Sequence, residues 1–312
     1  MEKISVIVPY YNSNVFLLRK CILSLLAQTY ENLEILVVID GSPKNLEHLK
    51  EYFTNIDNRI KFLDIKHSGV SIARNLGIKN TDGKYIAFVD SDDYVDEIFV
   101  EKLYKGITTS DLSICGVTEQ FYPTADAYID TKIFFSLPTE YNYLQYTNFS
   151  VNKLYKREII EKYNISFPEK VKLGEDALFL ANYYEHISQI AISSLPLYHY
   201  VPNPTSATKK FQPKYWDWEK QVIHTQWNLF HKYPLTERED SFCYAWLYHK
   251  FKGIFWHYSE SGNKEAMKVI YEIEKDELFA KLINCKNIIN EFWTKNMIKD
   301  LHSWKKGKRY FR

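Results

Sequence analysis

The sequence predicts an α/β fold, with a mixed, mostly parallel sheet covered by helices on both faces and a C-terminal helical region after it. Three observations predict it. Near-continuous apolar runs alternate with amphipathic stretches through the first half of the chain. The polar residues that break this pattern gather where the apolar runs end. Past Phe211 the composition shifts to helical spacing with aromatic stripes. Strands that stay apolar on both faces belong to a parallel sheet buried on both sides.

The elements follow in order. Ile4-Ser5-Val6-Ile7-Val8 is a β-branched strand ended by Pro9, and Leu18, Cys21, Ile22 and Leu25 give helical spacing to 16–26. Leu33 to Ile39 is a second strand, closed by Asp40-Gly41. A short helix at 46–53, a strand at 60–65, a helix at 70–78 and a strand at 85–89 complete the regular half. From Asp111 the pattern loosens. It predicts strands at 112–117, 190–192 and 197–201, the last two as edge strands, and helices at 156–163 and 175–186. Pro202-Asn203-Pro204-Thr205 is a breaker, and helices are expected at 215–233, 237–259 and 264 to about 301. The predicted division is 1–211 for the α/β domain and 212–312 for the helical region.

Bulk properties narrow the class. A length of 312 residues suits one main domain with an appendage, and 46% hydrophobic residues are ordinary for a soluble globular chain. A net charge of +1 argues against nucleic acid as a partner, since phosphate-tracking proteins carry a basic excess. The cysteines Cys21, Cys115, Cys243 and Cys285 are far apart and form no Cys-x-x-Cys pair, which predicts reduced thiols and a cytoplasmic setting. The start of the chain lacks a signal-peptide pattern, and no apolar run reaches the roughly 18 residues a spanning helix needs.

In open α/β sheets ligands bind outside the carboxyl ends of the strands. Pro9-Tyr10-Tyr11-Asn12, Asp40-Gly41-Ser42 and Asp90-Ser91-Asp92-Asp93 all fall there. Three carboxylates in four residues repel one another unless a cation or donors lie between them. Hard divalent cations such as Mg²⁺ or Mn²⁺ are held by one or two carboxylates together with substrate phosphates. If the strand continues through Asp90 and Asp92, the two point the same way. An acidic turn capping the next helix explains the same residues, and spacing alone does not separate the two.

Taken as an ordered set, these segments resemble the family 2 glycosyltransferases with the Rossmann-like GT-A fold. The set comprises Ser5-Val6-Ile7-Val8-Pro9-Tyr10-Tyr11-Asn12, Gln28-Thr29-Tyr30, Asp40-Gly41-Ser42, Gly69-Val70-Ser71-Ile72-Ala73-Arg74-Asn75 and Gly83 through Asp93. It resumes with Asn152-Lys153-Leu154-Tyr155-Lys156-Arg157 and Gly174-Glu175-Asp176-Ala177-Leu178-Phe179.

The resemblance implies an inverting, metal-dependent hexosyltransferase using a UDP-sugar, with Mn²⁺ or Mg²⁺ as cofactor. It implies that Tyr11 stacks on the uracil and that Asp40 accepts the base N3–H. Arg74 faces the diphosphate or the base, with a solvated helix cation as its alternative. Asp90 bonds ribose and sugar hydroxyls, Asp92 is the direct metal ligand, and Pro9 and Ser91 complete the nucleotide-sugar site. Asp176 is implied as the catalytic base, although acidic residues at a helix start also complement the helix dipole. Lys153 either approaches the diphosphate or acceptor or is a surface lysine. His199 is either a further metal ligand or a histidine satisfied within the structure. Two positions depart from the family pattern: Ile39 stands where an acidic residue or Asn is frequent, and Val201-Pro202 where an arginine is.

The implied acceptor is a glycan, glycoprotein or lipid-linked saccharide in surface-glycan assembly. The tail from Trp304 to Arg312 mixes basic and aromatic residues, a composition that docks on anionic headgroups or frays in solvent. Peripheral contact at the inner membrane face and homo-oligomer contacts are both open for the helical region. A phosphate-binding loop of the Gly-x-x-x-x-Gly-Lys-Ser/Thr or Gly-x-Gly-x-x-Gly type is absent, which removes kinase-like and dehydrogenase readings. The competing reading is a catalytically degenerate relative that scaffolds or activates a partner.

Overall fold

The structure is a computed structural model, and it describes residues 1–12, 14–41, 46–118, 125–131, 148–202, 211–259, 263–289 and 293–306. These form two compact units, made of the described residues within 1–202 and within 211–306.

The first unit contains strands β1 (Ile4–Tyr10), β2 (Leu33–Asp40), β3 (Ile60–Ile65), β4 (Tyr85–Phe88), β5 (Tyr94–Val95), β6 (Leu112–Ile114), β7 (Ala127–Asp130), β8 (Lys153–Lys156), β9 (Gln189–Ile192) and β10 (Tyr198–His199). Its helices are α1 (Val15–Leu26), α2 (Glu47–Ile56), α3 (Val70–Lys79), α4 (Phe99–Ile107), α5 (Arg157–Lys162) and α6 (Glu175–Tyr184). Eight strands make one sheet in the order β3-β2-β1-β4-β8-β6-β9-β7, and β5 pairs with β10 in a small second sheet. Pairing is parallel from β3 through β2 and β1 to β4; β8 runs antiparallel to both β4 and β6. The predicted mixed, mostly parallel sheet is therefore present.

The burial of each strand follows from its place. β1 and β2 are buried along their whole length, as central strands covered on both faces must be, whereas β3 at the sheet margin is only partly buried. Helix α3 packs on β1 and β2, and a side chain at Gly77 would collide with Ile7, so glycine is what permits that approach. The same face of α3 buries Ser71, Ala73, Arg74 and Ile78 at helical spacing. An arginine on the apolar stripe of a helix needs partners inside the protein.

Several expectations are corrected. Helix α4 and strands β5, β7 and β8 go beyond the predicted elements, although Phe99, Val100, Leu103 and Ile107 form a legible buried stripe. β9 is flanked by β6 and β7 and is no edge strand. The strand does not continue through Asp90 and Asp92: β4 stops at Phe88, and Asp93 N–H donates to Asp90 O at 3.0 Å, closing a turn.

The second unit contains α7 (Tyr215–Phe230), α8 (Glu237–Ser259), α9 (Asn263–Glu274), α10 (Glu277–Ile283) and α11 (Lys295–Lys305). The single helix expected from 264 to about 301 is three helices because caps interrupt it. The Asp276 carboxylate accepts N–H bonds from Leu278 and Phe279 to start α10, and Thr294 caps α11. Many of its aromatic residues are core: Trp216, Trp227, Trp246, Phe251 and Trp304 are buried, and Tyr248 stacks on Trp304 at 5.2 Å, whereas Trp256 and Tyr271 are exposed. Among the described residues no helix is long and apolar enough to cross a membrane. Ser42, the breaker residues from Asn203 to Thr205 and the tail from Gly307 to Arg312 lie outside the described residues.

Candidate active site

The carboxyl ends of β1, β2 and β4 lie side by side, with Tyr10 level with Ile39 and Phe88 level with Ile7. Because β8 is antiparallel to β4, its first residue, Lys153, sits at this same edge. Helix α6 contributes its amino-terminal turn, which starts from Gly174 in the left-handed conformation (φ 89°). Glu175 and Asp176 are the first two residues of that helix.

Arg74 ties these parts together. Its side chain is 3% exposed, and one terminal nitrogen donates to Asp90 Oδ1 at 2.9 Å. The other donates to Asp176 Oδ1 at 2.7 Å and to Glu175 Oε1 at 3.4 Å. Its guanidinium carbon stands 5.1 Å from the Phe167 ring centre, and Phe167 in turn stacks on Phe179 at 4.0 Å. Burial alone would lower the guanidinium pKa, but Asp176, Asp90 and Glu175 outweigh it and the pKa is raised. The solvated-cation alternative for Arg74 is therefore wrong; it is the buried counter-ion of three carboxylates from two elements.

Of these, Glu175 and Asp176 hold their protons more tightly than free acids do. Burial, then the neighbouring Asp176 charge, raises Glu175 to about 7, with Arg74 opposing. Burial also raises Asp176, against Arg74 and against hydrogen bonds from the Ser150 hydroxyl (2.9 Å) and backbone N–H. A carboxylate with a raised pKa, aligned by donors at a sheet edge, has the properties of a general base.

The acidic turn is braced from β10. Tyr198, fully buried, accepts the Asp90 N–H at 3.2 Å and donates its hydroxyl to Asp93 Oδ2 at 2.6 Å. Val201 N–H donates to Asp93 Oδ1 at 2.8 Å. Burial and then Asp90 push Asp93 up to about 8 despite these donors. Asp93 is thus a structural acid behind the turn, while the Asp90 side chain is 37% exposed and Asp92 is half-buried. Ser91 is buried within the turn, and Pro9 is buried in β1 opposite Val38.

At the end of β2, Asp40 is 2% exposed and takes the N–H groups of Ser68 (2.5 Å) and Gly69 (2.8 Å) and His67 Nδ1 (3.0 Å). It thereby anchors the start of α3. Tyr11, 57% exposed, stacks its ring on His67 at 4.1 Å and 15°.

Two expectations meet different surroundings. Lys153 is neither at the surface nor in reach of a ligand with a free donor: it is fully buried, and its ammonium is bound to Phe149 O, Asn152 Oδ1 and Val151 O. His199 has both ring nitrogens in use, with Thr118 Oγ1 at 2.8 Å and Asp96 Oδ1 at 2.9 Å, and it stacks on Tyr94. Among the described residues no three His, Cys, Asp or Glu side chains converge on a ready-made metal site. Asp90, 37% exposed, and Asp92, half-buried, do put carboxylate oxygens at the turn, and these are the donors that fit a hard cation shared with a diphosphate. Sequence reasoning missed Ser150, His67 and Tyr198. His67 carried a faint signal, immediately before the Ser68-Gly69 that opens α3; Ser150 and Tyr198 carried none.

Comparison with known proteins identifies the family and the fold. The model of glycosyl transferase family 2 matches residues 5–164. EpsH of Bacillus subtilis (strain 168) is 32% identical over 223 residues, which is 68% of this chain and 64% of that protein. Glycosyltransferase GlyA of Streptococcus pneumoniae serotype 4 is 33% identical over 215 residues, 64% of this chain and 30% of that protein. The match thus spans less than two thirds of either relative. Among solved structures, S. aureus TarS 1-349 in complex with UDP-GlcNAc superposes with a TM-score of 0.73 at 20% identity, covering 99% of this chain and 93% of that one. The mannosyltransferase PcManGT from Pyrobaculum calidifontis, in complex with GDP-Man and Mn²⁺, gives 0.54 at 15% identity over 99% of this chain and 84% of that one. At these identities the structural likeness is one of fold.

Proposed function

The chain belongs to glycosyl transferase family 2 and has the GT-A fold, and from that premise we propose that it is an inverting, metal-dependent hexosyltransferase. It takes a sugar from a UDP-sugar to a carbohydrate, glycoprotein or lipid-linked saccharide acceptor in surface-glycan assembly. The observation that carries the reading is the Arg74 bridge. It joins Asp90 in the acidic turn to Asp176 on α6 through one guanidinium, so that donor turn and candidate base form one cluster.

In this reading Tyr11 is the platform for the uracil and Asp40 holds the wall beside it, with Pro9 and Ser91 shaping the floor. Asp90 bonds sugar or ribose hydroxyls. Asp92 and the donor's diphosphate would hold Mn²⁺ or Mg²⁺, which when bound offsets charge on the departing diphosphate. Asp176 takes the proton of the acceptor hydroxyl as that oxygen attacks the anomeric carbon and the nucleotide leaves. One base suffices for inversion, since the nucleotide is already a leaving group. His199 keeps its structural partners and Lys153 makes no ligand contact. The helical unit and the tail are the proposed contacts for acceptor, membrane surface or a second copy.

The test is a panel of UDP-sugars with Mn²⁺, scored for hydrolysis and transfer, beside calorimetry with UDP. Turnover of one UDP-sugar and metal-dependent UDP binding that Asp92→Ala abolishes are the expected results. A chain that binds no UDP with Mn²⁺ would instead be the degenerate, scaffolding relative.

A further inference from the structure

Lys153 is a buried charge that the proposed chemistry leaves without a task. It opens β8 at the edge where the parallel strands end, and it is fully buried. Burying an ammonium costs several kcal/mol unless its three N–H groups are met, and here they are. They reach Phe149 O at 2.8 Å, Asn152 Oδ1 at 2.9 Å and Val151 O at 3.4 Å. All three acceptors come from the four residues before it, so the side chain closes its own loop around the cation. Asn152 sits in the left-handed region (φ 56°), donates its amide to Cys115 O and accepts Cys115 N–H at 3.1 Å. That fastens the loop to the end of β6.

The consequence falls on Ser150. In a trans peptide the carbonyl and the next N–H point in opposite directions. Drawing the Phe149 carbonyl onto Lys153 therefore turns the Ser150 N–H the other way, toward Asp176, where it donates together with the Ser150 hydroxyl. The Ser150 carbonyl is held separately by the Tyr155 hydroxyl at 2.8 Å. Both donors from Ser150 favour the ionised form of Asp176 against burial.

We propose that Lys153 is a positioning residue for the base: it orders the loop at 149–152 so that Ser150 presents two donors to Asp176, and it touches neither nucleotide nor sugar. The inference rests on the reading of Asp176 as the base. Burial draws Lys153 down to about 7, with Cys115 and Asp176 as the titratable groups that oppose this, so the cation works close to its titration range.

The experiment compares Lys153→Met, Ser150→Ala and the double variant in the full chain, with the best donor of the UDP-sugar panel and with UDP plus Mn²⁺ as binding probe. Lys153→Met should lower kcat on the order of 10- to 100-fold, as a displaced catalytic group does, with donor KM and UDP affinity little changed. The double variant should lose no more than Lys153→Met alone, because both act through one contact. Weaker UDP binding at unchanged kcat, or losses that multiply in the double variant, overturn the proposal. Should Lys153→Met fail to fold, Ser150→Ala decides. The acid limb of its kcat/KM profile should move to higher pH, since Asp176 has lost a donor, and an unmoved limb sinks the idea. Failure of the underlying reading looks different: Asp176→Asn would then transfer sugar at the wild-type rate whatever Lys153 does.

Discussion

Two carboxylates at the same sheet edge, Asp40 and Asp176, are held by different kinds of partner. Asp40 ends β2 and takes two backbone N–H groups and a histidine, all from the three residues that lead into α3. Asp176 opens α6 and is met by Arg74 from α3 and Ser150 from the loop before β8. Backbone donors are fixed once the chain is folded, so Asp40 is an anchor. Arg74 is shared among three carboxylates, so the charge on Asp176 depends on its neighbours, and burial raises its pKa. A base must be able to gain a proton, and the surroundings of Asp176 fit that task, whereas Asp40 serves to hold the start of α3.

The sharpest break of this comparison is to make both acids amides. Asp176→Asn should lower transfer on the order of 10²- to 10⁴-fold, the usual worth of a general base, while UDP binding persists. Asp40→Asn should leave kcat nearly intact and weaken donor binding and stability by about 1–3 kcal/mol, through donors left unmet at the start of α3. Steady-state kinetics with calorimetry reads both, and equal kcat losses would erase the distinction.

Arg74→Met comes next. It strands Asp90, Glu175 and Asp176 without their counter-ion, and removing one partner of a buried pair costs about 3–5 kcal/mol. Denaturant unfolding should show that loss at pH 7.5 and a smaller one near pH 5, where Glu175 and Asp176, whose pKa values burial raises, take up protons.

Glu175→Gln gives a smaller effect with a defined sign. Glu175 titrates near 7 in the folded chain against an ordinary value of 4.5. Between those values the folded state binds more protons than the unfolded one, so this group subtracts stability as pH rises through the window. The wild type should lose on the order of 1–3 kcal/mol from this group between pH 4.5 and 7. Glu175→Gln should flatten that slope in unfolding measured across the window. Smallest is Tyr11→Ala, which removes an exposed ring stacked on His67 and should weaken UDP binding by about 1–2 kcal/mol with little change in melting temperature.

Much of the first unit was legible because parallel strands buried on both faces announce themselves as unbroken apolar runs. Ile4–Tyr10 and Leu33–Asp40 are such runs, and the polar residues closing them marked the binding edge. The acidic turn, Tyr11 and Asp40 were visible as residues for the same reason, and the Glu175-Asp176 pair through the motif that resembles the family's. Their partners were not. Arg74 read either as a contact to diphosphate or base or as a solvated helix cation, because nothing local shows that its face of α3 is the buried one. Ser150, 26 residues before Asp176, reaches it only because β8 brings its loop to the edge.

By itself the sequence determined the order of strands and helices from β1 to β4, the edge at which polar residues collect, and the family the chain belongs to. Those properties rest on periodicity and on short ordered motifs, which a linear chain displays. Tertiary structure alone decided which charges meet. It buried Lys153 inside its own loop, gave both nitrogens of His199 to Thr118 and Asp96, and set Arg74 between Asp90 and Asp176. Contacts between charges depend on which elements pack together, and long-range packing leaves no mark in the spacing of neighbours along the chain.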